Sequence, residues 1–322
     1  MLRWYDAHRR ALPWRENTDP YRIWLSEIML QQTRVAAALD HYLRFLRRFP
    51  TVKALASARV SSVLALWSGL GYYQRARRLH QAAKILVRDH KGEFPRSAEE
   101  WLKLPGIGRY TAAAIASIAF GQPVAGVDGN VERVLQRLYG RQETRQAAWL
   151  KAEALLDRRR PGDFNQAMME LGATICTPRA PHCLACPVHE WCTTRGASPP
   201  VPQPLRKRRQ LWFGLARING AIFLVQRPAD ASLMPGMWEL PEISPGARNG
   251  QPVWAGLRHS ITDTDYNVTV LMLGERELDS AALLQGRWFS STQWQRLPLT
   301  GLARKVLRGL EDASLAAVRE SK

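Results

Sequence analysis

The chain has 322 residues, a length that suits two domains, and no run near the ~18 uncharged apolar residues of a membrane span. Lys and Arg number 46 against 28 Asp and Glu, a net charge of +18 that argues for a polyanionic partner, most simply nucleic acid. The N-terminus, "MLRWYDAHRRALPW", lacks the apolar core of a secretory signal, so a cytosolic chain is expected.

Residues 1–195 read as helical. Amphipathic runs are separated by short Gly/Pro punctuation, and β-branched alternation is scarce. Asp19-Pro20 opens one helix, with Asp as N-cap and Pro at the first helical position. That helix carries "IWLSEIMLQQT" (23–33), an apolar run interrupted by one carboxylate, Glu27. At ~100° per residue, Arg22, Ser26 and Thr33 form one polar strip, and Glu27 lies well away from it, beside Ile23, Trp24, Leu30 and Gln31. A carboxyl so placed is expected to be buried, and burial favours its protonated form.

Further on, "LPGIG" (104–108) joins the run "SAEEWLK" to "YTAAAIASIAF". Gly106 and Gly108 permit a tight turn and close approach of another chain, and the free N–H groups of the second helix suit a phosphate. In "PVAGVDGNVERVLQRLYG" the turn Asp128-Gly129-Asn130 precedes a helix with Val131, Val134, Leu135 and Leu138 on one side. Asp128 is expected at the helix start, where N–H groups and the dipole favour an ionised carboxylate. A neutral carboxyl and an ionised one are the pair that acid-assisted cleavage of a glycosidic bond requires.

All four cysteines fall between 176 and 192, spaced Cys176-x6-Cys183-x2-Cys186-x5-Cys192. Such a local cluster points to a metal centre and excludes scattered disulfides. Four thiolates suit either zinc or a [4Fe–4S] cube, and spacing alone does not separate them. Residues 196–210, "GASPPVPQPLRKRRQ", read as a Pro-rich basic linker. Residues 211–322 then read as a smaller α+β domain. "LWFGLARI" and "AIFLVQRP" are joined by Asn219-Gly220, a hairpin signal; "YNVTVLML" (266–273) is a strand; "LTGLARKVLRGLEDA" is a final helix.

These motifs carry a resemblance. The cysteine spacing is similar to the cluster loop of the endonuclease III class of DNA repair glycosylases, and "LPGIG" resembles its helix–hairpin–helix. With "LPWR" (12–15), "WLSEIMLQQT" (24–33), "LWSGLGYYQRARRL" (66–79), "VDGNVERV" (127–134) and "FNQAMMELGATICT" (164–177), residues 1–195 resemble the adenine DNA glycosylase (MutY) family. The resemblance implies a mainly α helix–hairpin–helix glycosylase domain with a [4Fe–4S] loop at 176–192. It implies a monomer of the bacterial cytoplasm acting on double-stranded DNA that contains adenine opposite 8-oxoguanine, with adenine flipped out of the stack.

Residue by residue, it implies Glu27 as the proton donor and Asp128 as the stabiliser of the cationic sugar, with Tyr110 and Asn130 holding them. Trp14, Arg15, Leu30 and Gln166 match the adenine pocket. Gln32 and Tyr72 match wedges in the base stack, and Thr33 lies near the same lesion base. Tyr110 stands where lyase-active relatives carry a Schiff-base lysine, which implies hydrolysis without strand cleavage. Residues 211–322 resemble the family's Nudix-like 8-oxoguanine-reading domain, without the glutamate-rich helix a Nudix hydrolase needs. There the family's Phe-Ser-His is replaced by Ile261-Thr262-Asp263. Thr262 keeps a hydroxyl, whereas an ionised Asp263 only accepts hydrogen bonds. The competing readings are a related glycosylase acting on oxidised pyrimidines or mismatched thymine, a non-catalytic DNA-binding homologue, and a Nudix hydrolase with a helical accessory domain.

Overall fold

The computed structural model describes residues 1–140, 144–196, 206–244, 250–261, 263–274, 277–278 and 280–320. The chain divides into two compact units, residues 1–57 with 78–201, and residues 58–77 with 202–322. Among the described residues, no helix is long and apolar enough to cross a membrane.

The helices preceding the sheet are α1 (Leu2–His8), α2 (Pro20–Leu30), α3 (Val35–Arg48), α4 (Val52–Ala56), α5 (Val60–Trp67), α6 (Gln74–Asp89), α7 (Ala98–Trp101), α8 (Arg109–Phe120), α9 (Gly129–Tyr139), α10 (Arg145–Leu155) and α11 (Pro161–Thr174). In the first unit, α2 packs on α3 and α8, and α11 packs on α1, α8 and α9. The start of α2 is the expected one. Asp19 accepts from Tyr21 N at 2.8 Å and Arg22 N at 3.3 Å, and Pro20 occupies the first turn.

The expected polar strip is not there. Ser26 is buried, its hydroxyl donating to Ile23 O at 2.8 Å, and Thr33 lies beyond the helix end at Leu30. A helix sandwiched between neighbours has no water-facing stripe, and a short hydroxyl can satisfy itself on its own backbone. Between α7 and α8, Gly106 takes φ +80°, and a Cβ there would lie 2.7 Å from Arg78 Cβ. Gly108 is the extended N-cap of α8. The alanines that follow are buried and let α8 approach α2 closely.

In the second unit, β1 (Lys207–Ile218), β2 (Ala221–Gln226), β3 (Trp238–Glu239), β4 (Val253–Ile261), β5 (Thr264–Leu273) and β6 (Gly286–Phe289) form a mixed sheet in the order β3-β2-β1-β5-β4, with β6 also on β2. β1 begins at Lys207, inside the stretch read as a linker, because its basic end pairs in parallel with β5 from Lys207 opposite Thr264. Asn219 and Gly220 both take positive φ, 48° and 79°, as a two-residue hairpin turn between β1 and β2 demands. Helices α12 (Ser280–Gln285), α13 (Ser291–Trp294) and α14 (Gly301–Glu320) complete the unit. The core joins Phe213, Leu224 and Val270 of the sheet to Leu302, Val306 and Leu307 of α14.

One buried carboxyl here is unexpected. Glu239 on β3 is 5% exposed. Burial raises its pKa to about 7, against hydrogen bonds from Thr300 and Leu240 N and the charge of Arg227, with Glu242 pushing the same way as burial. A folded-state pKa above the unfolded value gives stability that is complete below about 4.5 and lost as pH rises through about 7. Glu239→Gln is therefore expected to stabilise this unit at pH 8 by up to roughly 3 kcal/mol and to make no difference near pH 4. Urea midpoints at the two pH values check this; equal midpoints at pH 8 would refute it.

Candidate active site

Glu27, in the third turn of α2, is 8% exposed. Burial pushes its pKa up. A hydrogen bond from the Tyr110 hydroxyl opposes that, the Asp128 charge adds to it and Arg15 opposes it, leaving a value of about 7. Tyr110, in the first turn of α8, is pushed well above the ordinary phenol value by burial and then by the charges of Glu27 and Asp128. Its hydroxyl oxygen also lies 2.9 Å from Met169 Sδ. Glu27 and Tyr110 thus share a hydrogen bond, and the charges of Asp128 and Arg15, on two further segments, act on both.

Asp128 is the N-cap of α9. Its Oδ1 accepts from Asn130 N at 3.0 Å and Val131 N at 2.8 Å, and its Oδ2 accepts from Asn130 Nδ2 at 2.9 Å. Asn130 is itself held, its Oδ1 accepting from Arg133 Nη2 at 2.9 Å. Arg133 also donates to Gly172 O at 2.8 Å and Cys176 O at 2.9 Å. Gly172 has no room for a side chain, since a Cβ there would lie 2.6 Å from Asn130 Cβ.

Two supporting residues went unread in the sequence. Asn165 is buried on α11, accepts from Gly126 N at 3.0 Å and donates to Val124 O and Ser117 Oγ, both at 2.9 Å. It therefore fixes the segment that leads into Asp128. Glu170, 1% exposed, accepts from Arg10 Nε at 2.7 Å and Arg15 Nη2 at 2.9 Å. Burial alone would raise its pKa, but the hydrogen bonds and charges of Arg10 and Arg15 bring it to about 2. The available signal was the one that exposed Glu27: a lone carboxylate in an apolar run, here "AMMELGA".

Of the expected pocket residues, Trp14 is buried edge-on against Tyr42, with ring centroids 5.1 Å apart. Arg15 is fixed by Glu170, and Leu30 and Gln166 are half-buried on α2 and α11. Gln32 is not on the helix with Glu27, as the sequence suggested. It follows the helix end, exposed and at φ 55°. Thr33 N donates to Leu30 O at 3.1 Å, closing that turn. Tyr72 lies in the second unit, exposed and at φ 48°. Thr262 lies outside the described residues. Beside it, Asp263 pairs with Lys207 at 3.4 Å, and Asp265 pairs with Arg206 at 2.8 Å.

The four thiols line one open pocket with Arg137 and His189, and among the described residues no carboxylate lines it. Arg137 is buried and donates to Cys176 Sγ at 3.3 Å, Thr177 O at 2.7 Å and Pro178 O at 2.9 Å. Burial raises the Cys186 pKa, and the charges of Cys176, Cys192 and Cys183 act in the same direction. An all-sulfur donor set fits zinc or an iron–sulfur centre.

The HhH-GPD superfamily of base excision DNA repair proteins matches residues 25–157. An adenine DNA glycosylase of Rattus norvegicus is 35% identical across the whole chain and 79% of its own length. One of Buchnera aphidicola subsp. Schizaphis graminum is 35% identical over 70% of the chain and 68% of its own length. The human adenine DNA glycosylase is 49% identical over 61% of the chain, and that match spans only 38% of the human protein. Among solved structures, a thermostable thymine-DNA glycosylase aligns with a TM-score of 0.57 and 32% identity, over 60% of this chain and 92% of that one. An endonuclease III–DNA complex shares the fold at 23% identity, with a TM-score of 0.53, over 60% of this chain and 92% of that one. With the buried Glu27, the capped Asp128 and the thiol cavity on one helical scaffold, these matches identify the chain as a member of the adenine DNA glycosylase family.

Proposed function

We propose that the protein hydrolyses the N-glycosidic bond of adenine paired with 8-oxoguanine, or with guanine, in duplex DNA and leaves an abasic site. The observation that carries this is the pair Glu27 and Asp128. One carboxyl has a pKa near 7, and the other accepts three N–H hydrogen bonds. Protonated Glu27 gives its proton to a ring nitrogen of the flipped adenine. The C1′–N bond then breaks, its electron pair leaving with the base. The Asp128 carboxylate faces the developing positive charge on the sugar. Water adds to C1′, and the Glu27 carboxylate takes back a proton. Trp14, Arg15, Leu30 and Gln166 form the base pocket, and Tyr110 and Asn130 hold the two carboxyls.

DNA is the partner, in keeping with the charge of +18. The uncapped N–H groups of α8 beyond Gly108 suit a backbone phosphate. The thiol cavity holds a [4Fe–4S] cluster through Cys176, Cys183, Cys186 and Cys192. The pocket brings all four thiols together, and four thiolates are the donor set that such a cube takes. Bound there, the cluster ties the end of the helical domain together. The C-terminal unit is Nudix-like and serves lesion recognition, with Glu239 in a strand and no glutamate helix following it among the described residues.

The test is excision from a duplex with one A:8-oxoguanine pair. Alkali-dependent nicking is expected, with no adduct trapped by borohydride, because a phenol at 110 cannot form a Schiff base. A duplex left intact after alkali overturns the proposal. A borohydride-trapped adduct overturns the monofunctional assignment.

A further inference from the structure

We infer that Ser68 and Arg304 are positioning residues that set the loop bearing Tyr72, and so add to the preference for the lesion mispair; this rests on the function proposed above. Gly69, Gly71 and Tyr72 take φ of 106°, 72° and 48°. A tyrosine in the left-handed region is strained, and such a conformation persists only where its surroundings over-determine it. The ring it presents is 44% exposed.

Part of the restraint is local. Trp67 Nε1 donates to Gly71 O at 3.2 Å, and Arg75 Nη2 donates to the carbonyls of Leu70 at 3.4 Å and Gly71 at 3.3 Å. The Arg75 guanidinium also lies over the Tyr72 ring, 5.4 Å from its centroid.

The rest comes from the C-terminal part of the chain, some 230 residues away in sequence. The Ser68 side chain is buried, and its hydroxyl donates to Leu299 O at 2.5 Å while accepting from Arg304 Nε at 2.9 Å. The Tyr73 hydroxyl donates to the same carbonyl at 3.4 Å and accepts from Gly69 N at 3.5 Å. Leu299 is a firm anchor. Its flanks bond to β3, Trp238 N to Pro298 O and Thr300 N to Trp238 O, both at 2.9 Å. Thr300 then caps the first turn of α14, its hydroxyl accepting from Ala303 N at 3.1 Å. The two bonds of the Ser68 hydroxyl therefore reach a strand bridge and a helix start at once.

This gives the C-terminal unit a route to lesion preference that does not use the turn at Asp263, where the family's histidine is missing. Removing one charge-assisted bond from a buried hydroxyl should slow excision opposite 8-oxoguanine roughly fivefold to thirtyfold. The experiment is single-turnover excision from A:8-oxoguanine and A:G duplexes by the natural full-length protein, Arg304→Ala, Arg304→Lys, Ser68→Ala, Tyr72→Ala and the double variant Arg304→Ala/Tyr72→Ala. Arg304→Ala and Ser68→Ala are expected to slow the 8-oxoguanine reaction more than the A:G reaction. Arg304→Lys should recover part of the loss, and the double variant should be no slower than Tyr72→Ala. Equal slowing on both duplexes, or effects of Arg304→Ala and Tyr72→Ala that multiply in the double variant, overturns the inference. Should Arg304→Ala fail to fold, Ser68→Ala decides by the same criterion. A natural protein that releases adenine from neither duplex defeats the proposed function itself, an outcome distinct from the other two.

Discussion

Glu27→Gln is expected to slow single-turnover adenine release by about 10²–10⁴-fold, the range that a general acid contributes. Gln keeps the shape and a hydrogen bond toward Tyr110 but has no proton to give. The natural protein should lose activity as pH rises through about 7, because the working form of Glu27 is the protonated one. Stability has the same sign. The folded-state pKa is raised, so the contribution is complete below about 4.5 and is lost as pH climbs through about 7. The variant should therefore be more stable than the natural protein at pH 8, by up to roughly 3 kcal/mol, while almost inactive. Rate profiles between pH 5.5 and 9 and urea midpoints at pH 8 test both halves. A Gln variant that retains the natural rate, or is less stable at pH 8, would remove Glu27 from the role of acid.

The second large effect concerns Glu170. Glu170→Gln should destabilise the protein by about 3–5 kcal/mol, because removing one partner of a buried ion pair leaves the other uncompensated. Arg15 is the exposed consequence. Its guanidinium is held by Glu170 at 2.9 Å and acts on Glu27, so the substitution should also move the pH at which activity falls. The pH sense is opposite to that of Glu27. The Glu170 pKa is depressed to about 2, so its contribution is present above about 4.5 and lost as pH falls through about 2. Denaturant midpoints of the two proteins should differ widely at pH 7 and converge under strong acid. A loss below 1 kcal/mol at pH 7 would show that Arg10 and Arg15 find other partners.

What the sequence made legible was local. Asp19-Pro20, Asp128-Gly129-Asn130 and Asn219-Gly220 each act within a few residues, and all three stand in the structure where their chemistry puts them. Glu27 lies off the polar strip that helical spacing predicts and is buried, yet the strip itself does not form, because Ser26 is buried and Thr33 lies beyond the helix. Periodicity reports contrast between faces, and α2 has neighbours on both sides. Gln32 was misplaced because nothing between Leu30 and Thr33 is a recognised stop signal; the helix ends there by closing a turn with a glutamine at positive φ. Glu170 does carry the signal of a lone carboxylate in an apolar run, but its pairing and that of Asn165 are not legible in the sequence. Their partners, Arg10, Arg15, Ser117 and Gly126, lie 39 to 160 residues away, and no pattern in one sequence encodes such pairings.

The contact between Gly172 and Asn130 fixes how this protein can vary. Asp128 takes its geometry from the spacing of two helices, with the loops between them bearing little of the constraint. Tolerance to change is then unrelated to the size of the change. A single methyl group at 172 would be driven against Asn130 and would displace the carboxylate it holds. The site has almost no freedom across that contact.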